Sequence, residues 1–286
     1  NFFIKANILE EQIEIEKLLL SNANDMIEIE GKIENFFKDF NAIFNVNVKK
    51  LDLSNFSKLL YNSFDNFYPN AYKISNLESG KLENTKLKLL YNSVGINIKE
   101  LNGKLTKAKF YLEDSFLVTS DEIFITSKKN NNIVLSTPSL FLTKNDKTIT
   151  FLKNNLELQN IFNSETLGFF YKSNIDLELK TLPSFLKNTK SISEISYLSD
   201  YFSGNLSATI LMNYSAIKEE KIKYNVLGKI TKFNLINDSN FPIKFKNFNG
   251  DLEFKNNLLE INGNVFLNNS KSDINITIDK EYKLLI

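Results

Sequence analysis

The chain has 286 residues, of which 42% are apolar and 24% charged, so it holds enough apolar material for a sizeable core. Its formal charge is +1 and its 35 basic residues are all lysine, so no basic field exists to attract a nucleic acid. It contains no Cys and no His, which removes thiol nucleophiles, disulfides, imidazole bases and the commonest zinc ligands. We therefore expect no nucleic-acid partner, no metal and no cofactor.

Apolar residues alternate with polar ones along most of the chain, which is the period of β-strands. The pattern begins at Ile13/Ile15 and Ile27/Ile29, and it recurs as far as Ile274/Ile276. The positions between them carry Glu, Lys, Asn, Ser, Thr and Asp, so each strand has one apolar and one hydrated face, as in antiparallel sheets. The sequence predicts an all-β fold.

Two segments change to a helical spacing of their apolar residues. The first is 54–67, in which Phe56 and Phe64 share one face. The second is about 184–202, in which Ile195 continues an apolar stripe after a capping box. We predict two short amphipathic helices that interrupt the strands and cover an end of the sheet.

Seven of the nine glycines precede Lys, Asn or Asp and then Ile, Leu or Val. The intervals from Gly80 to Gly103 and from Gly204 to Gly228 fit hairpins of two strands of about ten residues each. We expect each glycine at a strand entrance, where it supplies a positive φ or a bulge. The seven are Gly31, Gly80, Gly103, Gly204, Gly228, Gly250 and Gly263.

Strands with one apolar and one polar side must bury the apolar side against another part of the protein or a ligand. Two short helices are too small to bury the apolar side of so many strands. Either the sheet curls into a trough or it splits into closed sandwiches. The apolar residues are large, with many of the 25 Phe among them and few small partners to interdigitate with, which favours the trough. We predict an elongated, curled antiparallel sheet, an open trough of repeated hairpins, that runs through residues 1–286 as one continuous fragment of a longer protein.

The candidate lining of this trough consists of the apolar members of the alternating segments. They are Phe44, Val46, Val48, Leu87, Leu89, Ile123, Ile125, Ile175, Leu177, Leu179, Phe254, Leu259, Ile261, Val265, Leu267, Ile274, Ile276 and Ile278.

One phrase, an apolar strand broken by Gly and followed by an ideal strand ending in Asn-Gly, recurs near both ends of the chain. It is found in 223–230, 241–254 and 258–270, and again in 27–33 leading into 44–53. These segments resemble the repeats of the AsmA-like family, most nearly its YhdP type. The stretch from about Phe110 to Phe162 lacks the glycines and departs from the phrase.

The resemblance implies a long protein anchored in the inner membrane of a double-membraned bacterium, by a segment outside these residues, and reaching across the periplasm. It implies that the apolar groove shields phospholipid acyl chains and conducts lipid towards the outer membrane. Phospholipid and the inner membrane are the implied partners, and no protein partner is indicated. Because each exposed methylene costs about 0.8 kcal/mol, a continuous apolar path would lower the barrier to crossing water.

Two other readings compete with the conduit. An enzyme would have to use acidic pairs such as Glu28/Glu30 or Asp121/Glu122, and neighbouring acids in so charged a chain are usually solvated, so we expect no enzyme. A structural or adhesive β-repeat scaffold with a closed, ligand-free core is the alternative that the residues leave open.

Overall fold

The fold is seen in a computed structural model. It describes residues 2–35, 40–54, 77–112, 116–129, 131–144, 146–163, 165–181, 202–216, 222–235, 245–255, 258–267, 270–278 and 284–285.

Sixteen strands are found among the described residues. They are β1 (Phe2–Leu9), β2 (Gln12–Ser21), β3 (Met26–Glu34), β4 (Asn41–Asp52), β5 (Leu77–Asn92), β6 (Gly95–Leu112), β7 (Phe116–Lys128), β8 (Asn132–Lys144), β9 (Lys147–Gln159), β10 (Gly168–Glu178), β11 (Phe202–Ser215), β12 (Lys223–Leu235), β13 (Phe245–Lys255), β14 (Leu258–Leu267), β15 (Ser270–Ile278) and β16 (Leu284–Leu285).

The strands form one open sheet in which each strand is hydrogen-bonded to its neighbours in sequence, from β1 to β16. The registers of β1–β7 and β11–β16 are antiparallel throughout. This confirms the predicted all-β, antiparallel class. No complete helix is found in the described part of the chain, where α-helical backbone is limited to residues 53–54 and 181. The predicted helices at 54–67 and 184–202 lie almost entirely outside it. Of their ends, Ser54 is described with a helical backbone, and Phe202 is described and begins β11.

The chain divides into two compact units. Unit 1 comprises Asn1–Pro138, Asn155–Phe169 and Ser215–Lys218, and unit 2 comprises Ser139–Asn154, Phe170–Tyr214 and Glu219–Ile286. Each unit is described separately below.

The glycines do not all sit where the sequence predicts. Gly80 and Gly204 lie at register shifts near the start of β5 and β11, and Gly204 has a φ of +121°, so the expectation is confirmed there. It is wrong for the glycines inside β3, β6, β12, β13 and β14, none of which has a positive φ: Gly31, Gly103, Gly228, Gly250 and Gly263. At each of these a Cβ would come within 3.0 Å of a neighbouring atom, so close packing demands the glycine.

Asn and Lys, not Gly, supply the positive φ inside several strands. They do so at Asn84, Lys107, Lys153, Lys232 and Asn247. A left-handed residue inside a strand makes a bulge that shifts the alternation by one position. In four of the five the next residue is buried, namely Thr85, Ala108, Asn154 and Phe248.

Candidate apolar binding faces

The apolar residues of unit 1 line up in rows that cross β1–β6, because the register places them opposite one another. We call this side the first apolar face. Its rows are Phe2–Leu20–Ile27–Val48–Thr85, Ile4–Leu18–Ile29–Val46–Leu87–Leu101, Ala6–Ile15–Gly31–Phe44–Leu89–Ile98 and Ile8–Ile13–Ile33–Ala42–Tyr91–Ile96.

Exposure varies strongly along the first apolar face. In β1, Phe2 is 68% exposed and Ile8 is 79% exposed, whereas Ala42 in β4 is fully buried and Val48 is 6% exposed. Most of the residues between these strands are half-buried. The face is therefore covered at β4 and open at β1.

Unit 2 has an equivalent set of rows across β11–β15. We call this side the second apolar face, and it also includes Ile175, Leu177, Leu179, Val265 and Leu267. Its rows are Leu206–Ile230–Gly250–Gly263–Ile274, Ala208–Gly228–Leu252–Ile261–Ile276 and Ile210–Val226–Phe254–Leu259–Ile278.

The second apolar face is filled by its own side chains. Phe248 is 4% exposed, and its ring meets that of Phe233 edge to face at 6.3 Å between centroids. Its Cζ lies only 2.5 Å from where a Cβ of Gly250 would be, so the ring occupies the space that the glycine leaves. Val265 is 1% exposed. This part of the sheet behaves as a packed protein core.

The predicted lining residues divide between the two faces. Phe44, Val46, Val48, Leu87 and Leu89 lie on the first apolar face, and Ile123 and Ile125 pair with Leu105 and Gly103 in β6. The others lie on the second apolar face: Ile175, Leu177, Leu179, Phe254, Leu259, Ile261, Val265, Leu267, Ile274, Ile276 and Ile278. The sequence thus groups residues that belong to one open and one filled region.

Sequence reasoning missed several members of the second apolar face, among them Leu206, Ile230 and Phe248. The segment Val226–Ile230 hides its alternation because Gly228 takes the middle apolar position. Counting a glycine as an apolar-face residue would have found it. The left-handed Asn247 hides Phe248 by shifting the alternation.

Buried polar groups accompany the apolar residues in unit 1. Thr85 is 3% exposed and donates to the Glu83 carbonyl at 3.1 Å. The hydroxyls of Ser120 and Thr137, both buried, lie 2.9 Å apart. Each group therefore has the partner that burial requires.

Unit 2 contains a larger buried polar cluster, formed by Asn154, Ser173 and Tyr171. The Asn154 Oδ1 accepts from the Tyr171 hydroxyl at 2.8 Å and from the Ser173 hydroxyl at 2.9 Å. The Asn154 amide donates to the Phe151 carbonyl at 2.8 Å. Burial raises the pKa of Tyr171 above its ordinary value of 10.0. The polar atoms of this cluster have hydrogen-bond partners within the protein, so we interpret the cluster as a stabilising part of the fold.

The opposite side of unit 1 carries cross-strand ion pairs. Lys17 pairs with Glu28, and Lys104 pairs with Glu122 at 2.5 Å. The hydrogen bond from Lys17 lowers the pKa of Glu28 below its usual 4.5. Both acidic pairs considered for catalysis thus include a carboxylate held by a lysine, and the absence of enzymatic activity stays a prediction.

The opposite side of unit 2 forms an open depression of about 670 Å³, with acidic residues, amides and one lysine in its lining. Asp251 stands opposite Lys229, and Glu253 stands opposite Glu260. The described residues contain no group of three or more acidic side chains that converge as metal ligands. This depression lies on the hydrated side of the sheet and not on the second apolar face.

Comparisons with protein-family models, with curated proteins and with solved structures found no match. In the described residues, none of the helical segments has the length and apolar character needed to span a membrane.

Proposed function

We propose that the chain is an apolar conduit for phospholipid, and that the first apolar face holds the acyl chains. The observation that carries the proposal is the run of matched apolar rows across β1–β6, in which large side chains such as Phe2, Ile4 and Ile8 stay exposed. Aligned, half-exposed apolar rows offer a hydrocarbon chain a continuous surface, and each methylene taken from water contributes about 0.8 kcal/mol.

The hydrated side of the same strands supports this assignment. Its ion pairs, such as Lys5–Glu16 and Lys17–Glu28, keep one side of unit 1 in water while the other side is apolar. A strand with this division can serve as the wall of a groove. In this proposal the protein belongs to the AsmA-like class, its open sheet forms the wall of a groove, and it conducts lipid across the periplasm towards the outer membrane from an inner-membrane anchor outside these residues.

Native mass spectrometry of the gently purified chain tests the proposal. We expect co-purified phospholipid that is released on collision, and we expect Val46→Asp to lose it, because a carboxylate in the middle row interrupts the apolar path. Asn45→Asp is the matched control, since Asn45 is the exposed neighbour of Val46 on the other side of β4. Equal lipid content in both variants would contradict the proposal.

A second measurement keeps the test valid if Val46→Asp unfolds the chain. Phospholipids with a diazirine in the acyl chain should label peptides of β1–β6 in the unaltered protein. Labelling confined to β10–β15, or none at all, would contradict the assignment of the lipid site to the first apolar face.

The scaffold alternative also has a specific observation in its favour. At the glycines of the second apolar face, neighbouring side-chain or backbone atoms occupy the space that a Cβ would take, and Val265 is nearly inaccessible, as in a ligand-free core. If the purified chain carries no lipid and the diazirine probe labels neither face, the whole sheet is better described as a scaffold of this kind.

A further inference from the structure

The tip of the β5–β6 hairpin exposes apolar side chains to a degree unusual for a turn. Val94, at the turn itself, is 90% exposed, and Tyr91 and Ile96 on either side of it are 46% and 41% exposed. The turn is held in shape by the Asn92 Oδ1, which accepts from the Val94 N–H at 3.0 Å, and by Gly95 with a φ of +121°. A preformed turn thus projects these side chains into solvent.

An aromatic pair supports the base of this tip. The rings of Phe40 and Tyr91 meet edge to face with 5.4 Å between centroids. Phe40, Tyr91 and the turn residues line an open depression of about 540 Å³. Tyrosine with an apolar body and a polar hydroxyl is typical of the boundary between water and lipid.

Next to the tip, β6 separates from β7. Pairing between these strands starts only at Asn102, opposite Thr126. Closer to the tip, β6 is bonded to side chains, since the Ile98 N–H donates to the Asn131 Oδ1 at 2.7 Å and the Leu101 N–H donates to the Ser127 Oγ at 2.8 Å. The separation leaves an open depression of about 880 Å³.

Three lysines line this second depression, namely Lys99, Lys128 and Lys129. Lys128 pairs with Glu157 at 2.5 Å, whereas Lys99 and Lys129 are exposed and make no ion pair with any described residue. The exposed Glu100 is the other acid next to the site. The lysines therefore outnumber the acids, and two ammonium groups face solvent beside the apolar tip.

We propose that the β5–β6 tip, Tyr91 to Ile96, and its neighbours Lys99 and Lys129 form a docking surface for an anionic phospholipid bilayer. Val94 and Ile96 would enter the acyl boundary, Tyr91 would lie at headgroup level, and the two lysines would meet lipid phosphates. Stable attachment to a bilayer takes two signals, and an apolar insertion with adjacent basic charge supplies both. Tyr91 and Ile96 also end one row of the first apolar face, so the docking surface adjoins the acyl-binding rows of the proposed function and adds Val94 and the two lysines to them.

Flotation with vesicles tests this inference on the full chain. We expect binding to vesicles of phosphatidylcholine with about 30% phosphatidylglycerol, whose negative surface potential attracts lysine, and much weaker binding to phosphatidylcholine alone. Lys99→Gln with Lys129→Gln should reduce binding to the anionic vesicles about 10- to 30-fold, because a lysine near such a surface contributes roughly fivefold. Val94→Asp should reduce binding at least as much.

The matched control is Lys172→Gln with Lys271→Gln, which removes the same charge from two exposed lysines of unit 2. It should bind as the unaltered chain does. Val46→Asp should also keep vesicle binding, so failure of the conduit and failure of the docking surface are distinguishable. Equal binding to both kinds of vesicle, equal loss in the control, or full binding by Val94→Asp would overturn the inference.

Discussion

The two apolar faces are built from the same alternating strands and differ in what covers them. On the first apolar face the exposed large residues lie in β1, at Leu20 in β2 and at the β5–β6 tip, and most of the residues of β2 and β3 are half-buried. In the strands of unit 2 the exposed large apolar residues lie on the opposite side, as Leu227 and Phe266 do. Alternation therefore creates an apolar side, and local packing decides whether that side is a core or a surface.

Two sequence features produce the difference. The second apolar face has glycines in three consecutive strands, Gly228, Gly250 and Gly263, which allow rings and backbone to approach closely. The rows of the first apolar face contain one glycine, Gly31, whose Cβ would lie 2.6 Å from the ring of Phe44, and Ile, Leu and Val are their commonest members. Glycines in three adjacent strands thus allow closer packing on the second apolar face than a single glycine allows on the first.

The largest expected effect comes from removing the ring that fills the second apolar face. Phe248→Ala should lower the free energy of unfolding of unit 2 by about 3–5 kcal/mol, the usual cost of emptying a buried phenylalanine site. Phe44→Ala on the half-buried first apolar face should cost about half as much, because less area is lost from burial. Urea unfolding followed by hydrogen exchange of each unit measures both values.

Phe266→Ala is the control, since Phe266 is exposed on the opposite side of β14. It should change stability by less than about 0.5 kcal/mol. If Phe248→Ala costs no more than Phe44→Ala, the distinction between a filled and an open face is wrong.

A second comparison uses what surrounds each glycine. The atoms nearest to a Cβ at Gly263 would be backbone atoms of Asn249 and Gly250, whereas those nearest to a Cβ at Gly103 would be side-chain atoms of Thr85. Overpacking by one methyl costs about 1–3 kcal/mol. We expect Thr85→Ala to restore part of the stability lost in Gly103→Ala, because it removes the nearer Oγ1 and Cγ2 of Thr85 but leaves the Thr85 Cβ at 2.8 Å. For Gly263→Ala no side-chain truncation should restore stability, because the obstacle is backbone.

Thermal unfolding of the single and double variants checks this prediction. Additive losses in Gly103→Ala with Thr85→Ala would show that the hydroxyl of Thr85, and not its bulk, matters at this site. Recovery of Gly263→Ala by any neighbouring truncation would show that the backbone there moves more readily than its packing indicates.

These glycines mark the limit of what the sequence predicts. The period of two gave the all-β antiparallel class and the apolar sides of most strands, because alternation depends only on the local chain. It could not tell that Gly250 is opposite Gly263, since that pairing depends on register between strands. Nor could the period of two place Phe248 on the apolar side. Asn247 has a left-handed backbone conformation that shifts the alternation, and asparagine can adopt this conformation but does not have to.

Acid should lower the stability of unit 1 more than that of unit 2. Lowered carboxyl pKa values are found in unit 1, chiefly because lysine ammonium groups, and at Asp52 the Ser54 hydroxyl, hydrogen-bond to the ionised form. They are those of Glu16, Glu28, Glu34, Asp52, Glu78 and Glu157. A depressed folded pKa contributes stability above the unfolded value, 4.5 for Glu, and this is lost as pH falls below it.

Alkali should act first on unit 2, because the pKa of Lys109 in unit 1, raised by its hydrogen bond to Glu78, affects stability only above its unfolded value of 10.5. Burial raises the pKa of Tyr171, so the stability that it contributes is present below the unfolded value of 10.0 and is lost as pH rises above it. Hydrogen exchange corrected for its intrinsic pH dependence should therefore show unit 1 opening first below about pH 4, and unit 2 losing protection first above the ordinary tyrosine range. Tyr171→Phe should remove the alkaline effect. Simultaneous opening of both units at both extremes would contradict this assignment.

The smallest expected effect on stability is the one that best separates a lipid surface from a scaffold. Ile8 is 79% exposed, so Ile8→Asn should change the free energy of unfolding by less than about 0.5 kcal/mol. Ile274→Asn, in the filled second apolar face, should cost about 2–4 kcal/mol, because it places an amide among Val265 and other buried residues. Lipid content should follow the reverse order. Ile8→Asn should lower it because the residue lies in an open row, whereas any Ile274→Asn protein that still folds should keep its lipid. If Ile8→Asn leaves lipid content unchanged, the exposed rows of β1 are a surface without a hydrocarbon guest.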